Sequence, residues 1–375
     1  MIYFDNAATT WPKPSSVINA MNECVNEFGA NPGRSGHSMA IKSAEKVYEC
    51  RETLASFFGL DNPCNVIFTS NATHGLNIVI NGVLDKGDHV ICTVMDHNSV
   101  LRPIYAKRSE IEFSFLEANT QGEIDSDELR AMIKDNTKLV VMTHVSNVCG
   151  TVMPIDKVLS VCKEKGILFM LDASQSAGIV PVNLKNSGID YLACPGHKGL
   201  YGPMGTGVLC INSEVIPKPL MYGGTGSLSK NLNMPDELPE RLESGTLNLP
   251  GICGLCQGVK FIESIGLEQV IKHEKNLTSV FLEGLSEIKN YKIIGKSSLD
   301  GRCGVVSFVH DYIECVKIAE YLNSEFNIAV RSMYHCAYLA HKALGTSEKG
   351  SVRVSWSVFN TVPEIKMLLY ALSHI

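Results

Sequence analysis

Between about residue 43 and residue 211 the chain alternates helical patterns with short, β-branched apolar runs, and this alternation restricts the fold more than any other feature. SAEKVYECRETLASFF reads as an amphipathic helix, NVIFT as a strand and THGLNIVINGVL as a second helix. The runs HVICTV, IEFSFL, KLVVMTHV, ILFMLDA, IDYLAC and GVLCI follow as strands, with SDELRAMI and PIDKVLSVCKEKG as helices among them. Strands that are apolar throughout and separated by helices belong in a mostly parallel sheet covered on both faces. Ligands of such a sheet lie at the carboxyl ends of its strands. From about residue 250 a long helical stretch leads to VVSFV, a helix around ECVKIAEYLNSEF, the strand SVRVSW and a terminal helix PEIKMLLYALSHI, which reads as a smaller α+β domain. The expected organisation is a large α/β domain over 15–250, with 1–14 and 251–375 forming the small domain. The Gly/Ser/Pro-rich segment from Tyr222 to Pro239 is a loop.

At 375 residues, 45% apolar and 19% charged, the chain can build such a core. A net charge of -6 without a dense Lys/Arg run excludes an electrostatic footprint for nucleic acid or for a membrane surface. MIYFDNAATTW has neither a basic nor an apolar leader pattern, and runs such as Ile167 to Leu171 are far short of a membrane span, so a cytoplasmic location is expected. The thirteen cysteines are scattered, mostly in apolar segments (Cys92, Cys210, Cys303), as buried thiols would be. Cys253 and Cys256 form one CxxC inside the helix-like GICGLCQGVKFI, without a second pair, and read as buried helix cysteines rather than a metal or redox site.

The chemistry concentrates in two loops. In ILFMLDASQSAG an apolar strand ends on Asp172, with the neutral donor Gln175 three residues on. In CPGHKGLYGP, His197 and Lys198 follow another strand, and Lys198 is the only Lys or Arg of that stretch. A lysine and an aspartate from two strand ends suit pyridoxal phosphate: the lysine forms a Schiff base, and the carboxylate keeps the pyridine nitrogen protonated. An apolar setting lowers the amine's pKa and frees its nucleophile; a structural lysine is the competing reading. TSNATHGLN places Ala72, Thr73 and His74 at a helix start, where backbone N–H groups could meet a phosphate. No Walker or GxGxxG pattern is present. His97 in MDHNSV could stack on a flat ring, and Asn147 in HVSNVCG could hydrogen-bond a ring substituent.

With these pieces in view, the chain resembles, nearly end to end, the class V aminotransferase-like pyridoxal phosphate enzymes. Within them it resembles the group II (Suf-type) cysteine desulfurases and selenocysteine lyases. The likeness rests on YFDNAATT, the Arg34/His37 segment NPGRSGHS, MDHNSV, THVSNVCGT, LDASQSAG, GHKGLYGPMGTGVL, ESGTLN, VRSMYHCA and VRVSWSVFNT, in family order. It implies fold type I, the aspartate aminotransferase-like fold. It implies Lys198 as the Schiff-base lysine, Asp172 as the pyridinium partner and Gln175 and Asn147 near the ring hydroxyl. His97 would stack on the ring and take part in catalysis, and Thr73, His74 and His197 would contact the phosphate. Thr246 would reach the phosphate of a neighbouring subunit, which implies a homodimer. Arg353 would clamp the substrate carboxylate through its planar guanidinium, with Ala7, Ala8 and Asn147 beside the substrate.

In the same family the cysteine of the HCA motif, here Cys336 in MYHCAYLAH, takes the substrate sulfur as a persulfide, and the short form of its loop is the group II form. Neighbouring cations favour the thiolate, and His335, His341 and Arg331 are adjacent in sequence. Zinc binding by Cys336 and His341 is disfavoured, since i and i+5 diverge on a helix. The implied reaction converts L-cysteine to L-alanine and passes sulfur to an acceptor protein or thiol. Selenocysteine lyase is the nearest alternative, followed by an aminotransferase or β-lyase on the same scaffold. The departures from the family are Pro195 where a small hydroxyl residue is usual, His74 where an acid is common, and Met333, Tyr334 and Tyr338 in the cysteine loop. They bear on substrate choice.

Overall fold

The computed structural model describes residues 1–33 and 35–375; Arg34 of the NPGRSGHS segment lies outside the described residues. A two-residue strand β1 (Ile2–Tyr3) opens the chain and is not part of the main sheet. That sheet comprises β2 (Val66–Thr69), β3 (His89–Thr93), β4 (Glu112–Leu116), β5 (Thr137–Thr143), β6 (Leu168–Asp172), β7 (Tyr191–Pro195) and β8 (Gly207–Ile211), in the order β2-β8-β7-β6-β5-β3-β4. Only β8 runs against its two neighbours; the other pairings are parallel.

Both faces of this sheet are apolar, which is why its strands lack a polar alternation. Ile91, Val140, Met142, Phe169, Leu171 and Leu192 enter one core with the helices Ser38–Phe58, Ile155–Lys165 and Leu249–Ile265. Val90, Cys92, Leu139, Val141, Met170 and Ala193 enter another with the helices Ala72–Val83 and Asn98–Ala106. The register pairs Thr143 with Asp172 and Asp172 with Ala193, so β5, β6 and β7 end level with one another. This level edge positions the site.

A second, antiparallel sheet has the order β12-β13-β10-β9, built from β9 (Tyr291–Ile294), β10 (Val305–His310), β12 (Arg331–Met333) and β13 (Ser351–Ser355). Phe4, Leu277, Phe281, Phe308, Trp356 and Leu368 fill its core. The intervening β11 (Ile328–Ala329) pairs in parallel with β1, and Ser355 N–H donates to the Phe4 carbonyl at 2.7 Å, so the N-terminal segment is laced to this unit. The helix Leu249–Ile265 begins at the expected 250/251 boundary, yet its buried face belongs to the core of the larger sheet. Among the described residues no helix is long and apolar enough to cross a membrane.

Candidate active site

The loop from β7 to β8 approaches its neighbours closely at its glycines. A Cβ on Gly199 would come 2.3 Å from the Ala177 carbonyl oxygen, so glycine there lets the Lys198 loop press on the loop after Asp172. Lys198 itself is partly buried on the wall of a cavity, and burial pulls its amine down to about 8 against the opposing attraction of Asp172. The carbonyl of the preceding His197 accepts from Thr10 N–H (3.1 Å), Thr9 Oγ1 (3.1 Å) and the Lys13 ammonium (2.7 Å). The N-terminal segment therefore straps down the residue before the lysine. Asp172, at the end of β6, is buried and accepts from Ser174 N–H at 2.9 Å.

Lys198 and Asp172 line one cavity of about 180 Å³ together with Thr73, His97, Asn147, Gln175 and His197. His97 caps the helix Asn98–Ala106, its Nδ1 accepting from Ser99 N–H at 3.1 Å; a proton on the neutral ring therefore sits on Nε2, and burial holds the imidazole well below its usual range. Burial likewise brings His197 down to about 4, and its Nδ1 is buried without a hydrogen-bond partner. Asn71 caps the helix Ala72–Val83 by accepting from His74 N–H at 2.9 Å. The N–H groups of Ala72 and Thr73, at the first two helical positions beside the cavity, have no intrahelical acceptor. Pro195 also lines the cavity and offers neither an N–H nor a hydroxyl.

Two expected residues, His74 and Ala8, are turned away from this cavity, and Thr246, expected at a neighbouring subunit's phosphate, also lies outside it. The His74 ring turns to Ser70, accepting from its N–H at 3.3 Å, and its own N–H is committed to Asn71. Thr246 is exposed and accepts from Asn31 Nδ2 at 3.4 Å. Ala8 is not on the cavity wall, whereas Ala7, whose carbonyl accepts from Gln175 Nε2 at 3.0 Å, lines a water-sized chamber of about 20 Å³ that also touches Lys198. Sequence reasoning missed Asn71, Ser99, Thr143 and Ser174 on the cavity wall.

Arg353 on β13 is buried, donates to the Asn147 carbonyl (3.0 Å) and to Asp5 Oδ1 (2.8 Å), and leaves Nε unpartnered. Burial lowers its pKa, with Asp5 opposing. Cys336 follows edge strand β12 in a loop where Met333, His335 and Cys336 have φ of 82, 49 and 60°, a left-handed conformation that favours glycine. Two contacts hold the loop at the cavity rim: Asn98 N–H donates to the Cys336 carbonyl (2.9 Å) and Asn147 Nδ2 to the His335 carbonyl (2.7 Å). Cys336 is the one exposed thiol among the described residues; Cys253 and Cys256 are buried in their helix.

Of the three cations expected near Cys336, only Arg331 faces it, Nη2 to Sγ 3.8 Å. The expectation fails for the two histidines because both are buried and neutral. Burial drives His335 down to about 2, with Nε2 on Ser351 Oγ at 3.1 Å, and His341 down to about 4, with Nδ1 on Thr346 Oγ1 at 2.7 Å.

A family model described as "Aminotransferase class-V" matches residues 2–368. The chain belongs to the class-V aminotransferase family. Class-V relatives include a "probable cysteine desulfurase" of Pyrococcus abyssi, 37% identical with 100% of this chain and 94% of the relative covered. Another of the same description, from Methanothermobacter thermautotrophicus, is 33% identical over 98% of this chain and 92% of its own length. Among class-V structures, the apo cysteine desulfurase from Thermococcus onnurineus NA1 superposes with a TM-score of 0.92 at 34% identity, covering 100% of this chain and 94% of its own. The type I, aspartate aminotransferase-like fold expected from the sequence is the fold observed, a large mostly parallel sheet with a smaller α+β unit.

Proposed function

We propose that this protein is a pyridoxal-phosphate-dependent cysteine desulfurase that releases L-alanine from L-cysteine and keeps the sulfur as a persulfide on Cys336. The observation that carries this reading is the exposed Cys336 thiol tethered at the rim of the cavity that holds Lys198 and Asp172. The long, close relatives named cysteine desulfurases support it.

The donor set fits the cofactor. The unpartnered His197 Nδ1 and the open N–H groups of Ala72 and Thr73 suit a phosphate. His74, its ring turned to Ser70, stays outside this set, and Pro195 removes a donor. Lys198 would hold the aldehyde carbon, Asp172 the pyridine nitrogen, Gln175 and Asn147 the ring hydroxyl, and His97 the ring face. When bound, the cofactor draws electrons from the bonds at the substrate α-carbon. Arg353, with Nε unpartnered, would receive the substrate carboxylate, beside Ala7. Neutral Lys198 Nζ would take the α-proton. Cys336 Sγ would attack the substrate sulfur, an S–S bond forming as the C–S bond breaks, and the carbon product would leave as alanine after protonation. The persulfide would pass to an acceptor protein or thiol.

We infer a homodimer as well, because Thr246 is exposed and outside this chain's own cavity. The short connection from β12 to the helix Tyr338–Ala343 supports the group II form. The lacing of β1 to β11 supports assigning 1–14 to the second unit with 251–375, and 15–250 to the first.

The test is product analysis from L-cysteine with a thiol reductant, for the parent and Cys336→Ala. Alanine release should fall on the order of 100-fold or more in the variant, with cofactor absorbance unchanged. Pyruvate as the product, or a variant as active as the parent, would sink the assignment.

A further inference from the structure

Strand β2 lies at the edge of the main sheet, with β8 as its one neighbour among the described residues. One side of its backbone therefore has no strand to pair with, and unpaired N–H and C=O groups need other partners. Two side chains supply them. Arg51, on the helix Ser38–Phe58, donates through Nη1 to the Val66 carbonyl, and Glu243 accepts from Phe68 N–H at 2.6 Å. The two also hold each other, Nη1 on Oε1 at 2.9 Å and Nη2 on Oε2, and each side chain is only 6% exposed. The guanidinium lies 4.5 Å from the Phe68 ring centroid. A buried pair of this kind gives little net stability over apolar side chains of the same volume. What it does give is geometry: a two-point bridge holds one N–H and one C=O of the edge in place.

Beyond that edge lies the Lys198 cavity. Thr69 Oγ1, at the end of β2, donates to the Asn71 carbonyl at 2.9 Å. Asn71 Oδ1 accepts from His74 N–H at 2.9 Å and so caps the helix Ala72–Val83. The N–H groups of Ala72 and Thr73, open to a phosphate, thus hang from β2 by a series of contacts that begins at Glu243. The other end of the clamp leads the same way. Glu243 opens the ESGTLN segment, whose Thr246 is expected at the phosphate of a neighbouring subunit.

We propose that Arg51 and Glu243 are positioning residues for the cofactor phosphate: by holding edge strand β2 they set where the Ala72 and Thr73 N–H groups point. The proposal rests on the cofactor assigned under the function above. Neither side chain is on the wall of the Lys198 cavity, so both act through β2.

Titration of the full-length protein, freed of cofactor, with pyridoxal phosphate and with pyridoxal tests it, the absorbance of the bound aldehyde reporting both. Pyridoxal has the same ring and aldehyde but no phosphate. The double variant Arg51→Met/Glu243→Leu removes the pair without leaving a buried charge. It should bind pyridoxal phosphate about tenfold more weakly than the parent, and pyridoxal as well as the parent does. Arg51→Lys, which keeps the charge but not the two-point grip, should show a smaller loss of the same kind, and it decides if the double variant does not fold. Equal weakening of both aldehydes would reveal a general structural role, and unchanged binding of pyridoxal phosphate would show that the cradle does not need the clamp; either result overturns the proposal. A parent that binds no pyridoxal phosphate would overturn the cofactor reading itself, and this proposal with it.

Discussion

The lysine and the cysteine of the proposed reaction are held in opposite ways. Lys198 follows β7, inside the main sheet, on a cavity wall where burial lowers its amine, with the carbonyl before it clamped by the N-terminal strap. Cys336 follows an edge strand, is exposed, and sits on left-handed backbone held by two hydrogen bonds. The two groups need contrary surroundings. Burial favours an amine's neutral, nucleophilic form but suppresses a thiol's reactive anion. This protein shows the second effect on other cysteines: burial pushes Cys162, Cys253 and Cys303 up to about 12. A thiol that must also hand sulfur to an acceptor has to stay reachable.

The most severe way to break this comparison is to remove the amine. Lys198→Ala should reduce turnover on the order of 10³-fold or more, while iodoacetamide should alkylate Cys336 at the parent's rate. Parallel loss of both would show that the cysteine loop depends on the lysine's cavity. A gentler probe is pH. The rate at which unloaded protein captures pyridoxal phosphate, followed by its absorbance, should climb with a midpoint near 8, where Lys198 gives up its proton. The unfolded chain keeps that proton to about 10.5, so the unloaded protein should gain stability as pH rises from about 8 towards 10.5. The gain is about 3 kcal/mol at most. A capture rate flat across pH 7–9 would mean the amine is not held as buried as the structure has it.

The lysine side is the more legible in sequence. Strands apolar on both faces, ending on Asp172 or leading into Lys198, announce a sheet edge through residue pattern alone. The helix Asn98–Ala106 is hidden by Pro103 in its interior, and β1, β11 and β12 are too short to show a pattern. The cysteine side is legible only by motif. Proximity in sequence suggests that His335 and His341 assist Cys336, but ring orientation is set by Ser351 and Thr346, which pattern does not reveal. Asp5 as the partner of Arg353 lies 348 residues away along the chain, and Glu243 as the partner of Arg51 lies 192 residues away. Such pairs exist only once distant segments meet.

The smallest expected effect concerns the one cation that does face the thiol. Arg331 Nη2 lies 3.8 Å from Cys336 Sγ, in a solvated setting where water weakens the attraction. Charge at that distance across bulk water changes a rate by about fivefold, far less than burial does for Lys198. Arg331→Met should therefore slow alkylation of Cys336 at pH 7 by about fivefold at low salt, and Arg331→Lys should slow it less. Raising the ionic strength to about 1 M should bring the parent down towards Arg331→Met, because the charges are screened. If Arg331→Met reacts as fast as the parent, exposure alone accounts for the cysteine's reactivity. If the loss reaches about a hundredfold and resists salt, the loop shields this pair from water, and the contrast with the lysine is smaller than the solvent exposure of Cys336 implies.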